Sequence, residues 1–236
     1  MHLPRNITIK INAILDQWLP PVLRDAGWLL PNVFKVLFDK QSHHFVEFKQ
    51  KGMGYSREQF VQAYHEVDPL LYGYVQRRTD LNEAMIPEIL RHITGSRVLE
   101  VGCGKGFLAA EMAKQSNVTA CDMQKPSDWE AVHPTIPFVQ GWIESLPFAD
   151  TSFDTVVCTH TLEHVQDLFK AIQELRRVTK QRLIIIVPKQ RPYKYTFDLH
   201  LHFFPYPYSL LAVMGPRPQQ VCQELQGDLF YFETKS

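Results

Sequence analysis

The stretch V-L-E-V-G-C-G-K-G-F-L at residues 98–108 constrains this chain more than any other. Val98, Leu99 and Val101 form an apolar run of strand length. Glycines stand at 102, 104 and 106, and a helical run over 107–114 follows them. Strand, glycine turn and helix in that order build a ligand site. Glycine turns sharply and lets a ligand approach the backbone without meeting a Cβ, and the helix start offers unpaired N–H groups. Spacing narrows the ligand. The dinucleotide fingerprint G-x-G-x-x-G would need glycine at 107, where this chain has Phe107. Glu100, just before the turn, suits a cationic ligand better than a pyrophosphate.

Beyond the loop the chain alternates strand and helix. Residues 117–122 read as a second strand ending in Asp122, 18 residues after Gly104. An acid at the end of a second parallel strand can accept hydrogen bonds from both ribose hydroxyls, and Met123 follows where an apolar side chain can cover an adenine. A short strand leads to Gly141, Leu146-Pro147-Phe148 makes a turn, and Phe153-Asp154 opens a strand over 155–158. That strand ends in T-H-T-L-E-H at 159–164. A helix over 165–178 carries Val165, Leu168, Phe169, Ile172, Leu175 and Val178 on one expected apolar face. Residues 183–187 read as a fully buried strand ended by Pro188. Strand candidates at 220–225 and 229–233, joined by Gln226-Gly227-Asp228, make a closing antiparallel hairpin.

E-V-G-C-G-K-G at 100–106 resembles motif I of the class I S-adenosylmethionine (SAM)-dependent methyltransferases. The stretch 138–154 resembles their G-D-A-x-x-L-P-F…F-D-x-V segment, and 159–164 resembles their L-E-H stretch. Residues 191–208 resemble the H-x-x-F-F segment before the substrate-side helix, with His200 in the histidine place. The resemblance covers residues 95–236. It implies an α/β fold with a Rossmann-like, mostly parallel sheet whose last strand is antiparallel, and methyl transfer from SAM with S-adenosyl-L-homocysteine as product. In that frame Glu100, Gly102, Cys103, Gly104, Gly106, Thr159 and His160 hold the methionine end, and Asp122, Met123, Trp142 and Ile143 the adenosine. One departure stands out: Trp142 replaces the family's acid after the glycine, and an indole cannot accept a hydrogen bond. Adenine recognition then falls to backbone near Ile143 or to stacking. His200 and His164 are the candidate bases for an O- or N-linked acceptor. Simpler roles stand beside these: Asp122 as a helix cap, Glu163 satisfying helix N–H groups, His164 as a buried hydrogen-bonded histidine and His200 as loop packing.

The 25 basic and 25 acidic residues cancel, so no global field attracts nucleic acid. Cys103, Cys121, Cys158 and Cys222 include no C-x-x-C pair, which fits reduced thiols in a cytoplasmic protein. Three of them with His160 match no common zinc spacing, and no metal is assigned. No apolar run reaches the roughly 18 residues of a membrane span, and Pro4, Arg5, Asn6 and Lys10 interrupt any signal peptide. Residues 1–94 read as a helical cap or substrate region and 95–236 as the SAM-binding domain. Helices are expected over 7–19, 21–24 and 33–38, broken at Pro20-Pro21 and Pro31. Ser56 and Gln59 form a capping box for a helix to His65, and a further helix over 81–92 is stopped by Gly95. The apolar stretch 15–38 reads as a cap on the core domain or as an interfacial surface for peripheral membrane contact. W-L-P-P-x-L-R-D at 18–25 and Phe48-Lys49 resemble methyltransferases of bacterial surface-polysaccharide and lipid pathways. That likeness implies a saccharide or lipid-linked acceptor beside the small-molecule one. Seven basic residues and no acidic one between Arg176 and Lys194 suit an anionic acceptor. The competing class is a SAM-binding scaffold subunit without chemistry of its own.

Overall fold

A computed structural model describes residues 19–38, 42–74, 79, 81–82, 84–195 and 198–235. Most of the helix expected over 7–19 lies outside them. The chain divides into two compact units, one formed by residues 1–77 with 190–203, the other by 78–189 with 204–236.

In the first unit, α1 (Pro21–Arg24) opens with Pro21 in its first turn, where the missing N–H costs nothing. The same tolerance explains why α2 (Leu30–Phe38) begins ahead of its expected start at 33, carrying Pro31 in its first turn. Leu30 and Phe34 are buried, and the Phe34 ring lies 5.5 Å from Phe45 on α3 (Ser42–Lys51). The outer side of this helical pair is different: Val22, Trp28 and Val36 are 78%, 65% and 86% exposed. Much of the expected cap surface therefore faces outward. α4 (Arg57–Tyr74) starts on the capping box, with Gln59 N–H donating to Ser56 Oγ and Ser56 N–H to Gln59 Oε1. It runs past the expected end at His65. Residues 190–203 belong to this unit through side chains of α1 and α3. Arg24 donates to Pro192 O at 2.8 Å, and Lys49 donates to Tyr193 O at 2.7 Å. Asp25, just past α1, accepts from Lys194 N–H at 2.8 Å.

The second unit is a seven-stranded sheet in the order β3-β2-β1-β4-β5-β7-β6. Its strands are β1 (Arg97–Val101), β2 (Asn117–Asp122), β3 (Phe138–Gln140), β4 (Phe153–Thr159), β5 (Thr179–Pro188), β6 (Gln220–Leu225) and β7 (Asp228–Thr234). β1 to β5 pair in parallel, while β7 runs antiparallel to β5 and to β6. Alternate residues of the central strands feed two cores. Leu99, Val101, Val156, Ile185 and Tyr231 face α8 (Leu168–Val178) and α9 (Pro207–Met214). Val98, Val118, Val157, Ile184 and Phe230 face α5 (Met85–His92) and α6 (Phe107–Met112). Central parallel strands are covered on both faces, which is why they read as unbroken apolar runs.

α8 starts at Leu168, later than its expected start, because Asp167 caps it by accepting Lys170 N–H at 2.9 Å. Phe169, expected on its apolar face, is 69% exposed. It follows Leu168 directly, and one step around a helix turns it away from the core. No helix among the described residues is long and apolar enough to cross a membrane.

Candidate functional site

β1 lies between β2 and β4, so chain order reverses there and the loops at the carboxyl ends of these strands splay apart. Open α/β sheets bind ligands at this crevice. The glycine loop is held there from several directions. Gly102 and Cys103 N–H groups donate to Cys121 O at 2.8 and 3.2 Å. Gly104 N–H donates to Asp122 Oδ2 at 2.8 Å, and Gly106 N–H to Cys103 O at 2.8 Å. Two glycines serve opposite purposes. A Cβ on Gly106 would lie 2.6 Å from the Trp129 ring, at a φ of 75° that already excludes most side chains. A Cβ on Gly104 would meet nothing within 4 Å, so that side of the loop is open.

Two acids stand beside the loop. Glu100 is 2% exposed, and its Oε2 has no hydrogen-bond partner among the described residues. Burial, reinforced by the nearby Asp122 charge, pushes its carboxyl well above the usual carboxylate range. Asp122 accepts Gln124 N–H in addition to Gly104 N–H, and burial raises it too. Burial also pushes the Cys121 thiol up to about 12 and lifts Cys103 and Cys158 further. These thiols stay protonated, so Cys103 offers its backbone rather than a nucleophile. A buried acid with an unpartnered oxygen, an open glycine and a second acid at the next strand end together suit a ligand bearing a cationic group and a polyol.

Met123 O accepts Gln140 Nε2–H at 2.9 Å. Trp142 forms a bridge with Ser145, and the Ile143 side chain is buried in the core, leaving its backbone for any contact. Thr159 ends β4. His160 follows with φ 48°, uncommon for a residue with a Cβ. Its imidazole stands between two carboxylates, Nδ1 3.6 Å from Glu163 Oε1 and Nε2 3.4 Å from Asp228 Oδ2. His164 Nε2 is 3.8 Å from Glu163 Oε1, with the side chain 27% exposed. The second unit thus brings together Glu100, Gly102, Cys103, Gly104, Gly106, Asp122, Met123, Trp142, Ile143, Thr159, His160 and His164. His200 belongs to the first unit. It is buried, with Nδ1 2.6 Å from Gln190 Oε1.

Asp228, Trp129 and His133 were not legible as site residues. Asp228 reads as a turn residue in sequence, and Trp129 and His133 lie in a connection with no motif of its own.

Residues 99–187 match a family described as a methyltransferase domain. The ubiquinone biosynthesis O-methyltransferase of Paracidovorax citrulli is 34% identical over 125 residues, covering 49% of this chain and 48% of that protein. The protein of the same name from Alkalilimnicola ehrlichii is 31% identical over 145 residues, covering 57% of this chain and 54% of that one. The chain spans about half the length of these curated relatives. Among solved structures, Burkholderia thailandensis 1,6-didemethyltoxoflavin-N1-methyltransferase, with bound S-adenosylhomocysteine, is 17% identical. It covers 90% of this chain and 93% of its own, with a TM-score of 0.58. A SAM-dependent methyltransferase of Thermotoga maritima is 19% identical, covering 76% of this chain and 98% of its own, with a TM-score of 0.51. At these identities the structural likeness shows the fold alone, a Rossmann-like α/β sheet.

Proposed function

We propose that this chain, whose residues 99–187 match a methyltransferase-domain family, uses SAM to methylate a hydroxyl of a small-molecule acceptor. The observation that carries the cofactor assignment is Glu100, buried beside the glycine loop with an oxygen that no described residue satisfies. A buried acid of this kind is costly unless a ligand pairs it. The ammonium of the methionine moiety would do so, and Gly104 leaves the backbone open beside it. Asp122 would take the ribose hydroxyls, with Met123, Trp142 and the backbone at Ile143 around the adenine. Thr159 and His160 would complete the methionine end.

Bound SAM supplies a methyl group on an electrophilic sulfonium. The chain's own contribution is to position the acceptor, exclude water and remove the hydroxyl proton. His164 is the base we favour, because it lies in the same unit as the glycine loop and Glu163 can orient its ring. His200 is the second candidate. With Gln190 Oε1 accepting from Nδ1–H, its Nε2 keeps the lone pair that a base needs. Oxygen as the accepting atom is supported by the printed name of the curated relatives.

The test begins with calorimetric titration of SAM, S-adenosylhomocysteine and NAD. Labelled SAM is then turned over against hydroxyl-bearing aromatic, saccharide and lipid-linked acceptors. A folded protein that gives no heat with SAM overturns the proposal. Binding without turnover on any acceptor class favours the scaffold reading. A lipid-linked acceptor met at a membrane surface is a second reading, favoured by the exposed Val22, Trp28 and Val36 side chains on and beside α1 and α2. Co-sedimentation with anionic vesicles, lost in Trp28→Ala and Val36→Asp, would support it.

A further inference from the structure

The connection between β2 and β3 carries the short helix α7 (Trp129–Val132) and then His133, eleven residues past Asp122. Neither Trp129 nor His133 lies at a strand end. Both nevertheless reach the glycine loop. His133 Nε2 lies 2.8 Å from Lys105 O, the carbonyl between Gly104 and Gly106, whose φ angles are 51° and 75°. We propose that His133 is a positioning residue for the cofactor, holding the glycine loop in its ligand-ready shape through the Lys105 carbonyl; the inference rests on the SAM reading above.

A loop whose alternate residues, Gly102, Gly104 and Gly106, are left-handed has no regular ladder to hold it, so its backbone groups must find partners elsewhere. The N–H side is anchored by Cys121 O and Asp122 Oδ2. The Lys105 carbonyl is anchored by the imidazole. A carbonyl oxygen only accepts, so Nε2 must carry the hydrogen.

The ring is itself braced. Trp129 is 2% exposed and donates its indole N–H to Ile136 O at 2.9 Å. Its ring centroid lies 4.7 Å from that of His133 and 4.9 Å from that of Phe138. Trp129 and His133 Nε2 also fill the space where a Gly106 Cβ would stand. Indole, imidazole and glycine thus pack against one another beside the loop. Fixing a loop before its ligand arrives lowers the ordering cost of binding. Such a brace acts on affinity and leaves the chemical step alone.

The test compares His133→Ala and His133→Gln with wild type, since a glutamine amide can supply a donor near the same place. His133→Ala should weaken SAM binding roughly fivefold to tenfold, the effect of one lost neutral hydrogen bond, and raise KM for SAM with kcat at saturating SAM unchanged. His133→Gln should recover most of the affinity. Amide hydrogen exchange in the free protein should speed up at Lys105 and Gly106 in the alanine variant only. Wild-type exchange and affinity in His133→Ala, a loss confined to kcat, or a glutamine variant as defective as alanine would each overturn the assignment. Failure of wild type to bind SAM would instead strike the cofactor reading, and the exchange experiment on the free protein would still decide the loop contact.

Discussion

Glu100 holds a carboxyl where water cannot reach it, and its titration should be visible in cofactor binding. Burial first, and the Asp122 charge second, hold its pKa well above the usual range, so part of the free protein carries it protonated above that range. A cationic ammonium favours the ionised form. Binding should therefore release a proton, and affinity should rise with pH until Glu100 is ionised in the free protein, then level off. Asp122 is also raised by burial and acts with the same sign; Asp122→Asn separates the two. Calorimetry in buffers of different ionisation enthalpy checks this, and proton uptake on binding would refute it. Glu100→Gln should bind more weakly and lose most of the pH dependence. The two loop glycines make a paired prediction. Gly104→Val should abolish SAM binding with the circular dichroism of a folded protein, because its side chain enters open space beside the ligand, while the left-handed φ of 51° should cost about 1–2 kcal/mol and lower the melting temperature. Gly106→Ala should lower the melting temperature, costing about 2–4 kcal/mol from left-handed strain and overpacking against Trp129.

At the scale of elements, the sheet depends on ties between distant pieces of chain. Arg176 on α8 donates to both oxygens of Glu233 on β7, at 2.8 and 2.6 Å, and also to Met214 O at the end of α9. Tyr231 donates its hydroxyl to the same carboxylate at 2.6 Å. One guanidinium thus joins two helices to the antiparallel strand. Arg176→Ala would leave a largely buried Glu233 with the Tyr231 hydroxyl and only the weaker influence of the Arg217 charge, and roughly 3 kcal/mol of stability should be lost. Thermal and urea unfolding measure it. A loss under about 0.5 kcal/mol, the range of ordinary surface changes, would mean that water replaces the pair. The helices also show where pattern reading stops. Apolar spacing located α8, but Asp167 set its start and geometry turned Phe169 outward.

At the scale of the whole molecule, residues 190–203 leave the sheet unit after β5 and join the unit made by the N-terminal helices. Lys49 is central to that tie. Its amine donates to Tyr193 O and lies 4.3 and 4.5 Å from the Tyr193 and Phe203 ring centroids. Lys49→Met keeps an apolar stem but removes the charge and the hydrogen bond. Burial pushes the Lys49 amine down to about 7, so below that pH the bond is charge-assisted. Exchange protection across 190–203 should there fall by about tenfold, roughly 1.4 kcal/mol, with a smaller fall at higher pH, while protection in β1, β4 and β5 stays as in wild type. Unchanged protection in 190–203 would show that the Arg24 and Asp25 hydrogen bonds hold the segment without the Lys49 charge.

The sequence by itself determined the core of the sheet unit and the strand ends and loop from which a site is proposed. β2 falls at the expected 117–122, and β6 and the start of β7 fall where the Gln226-Gly227-Asp228 turn put them. These features are local: apolar runs mark buried strands, the glycines at 102, 104 and 106 mark left-handed backbone, and an acid at a fixed distance from the loop marks the neighbouring strand end. Only the tertiary structure decided the rest. It drew Asp228 from a turn to His160, Trp129 and His133 from a featureless connection to the glycine loop, and residues 190–203 to helices that precede them by more than a hundred residues. It also turned Val22, Trp28 and Val36 outward, where the sequence leaves a cap on the core and an interfacial surface both open. Such contacts join residues far apart in the chain, and neither periodicity nor spacing records which distant partner a side chain will meet.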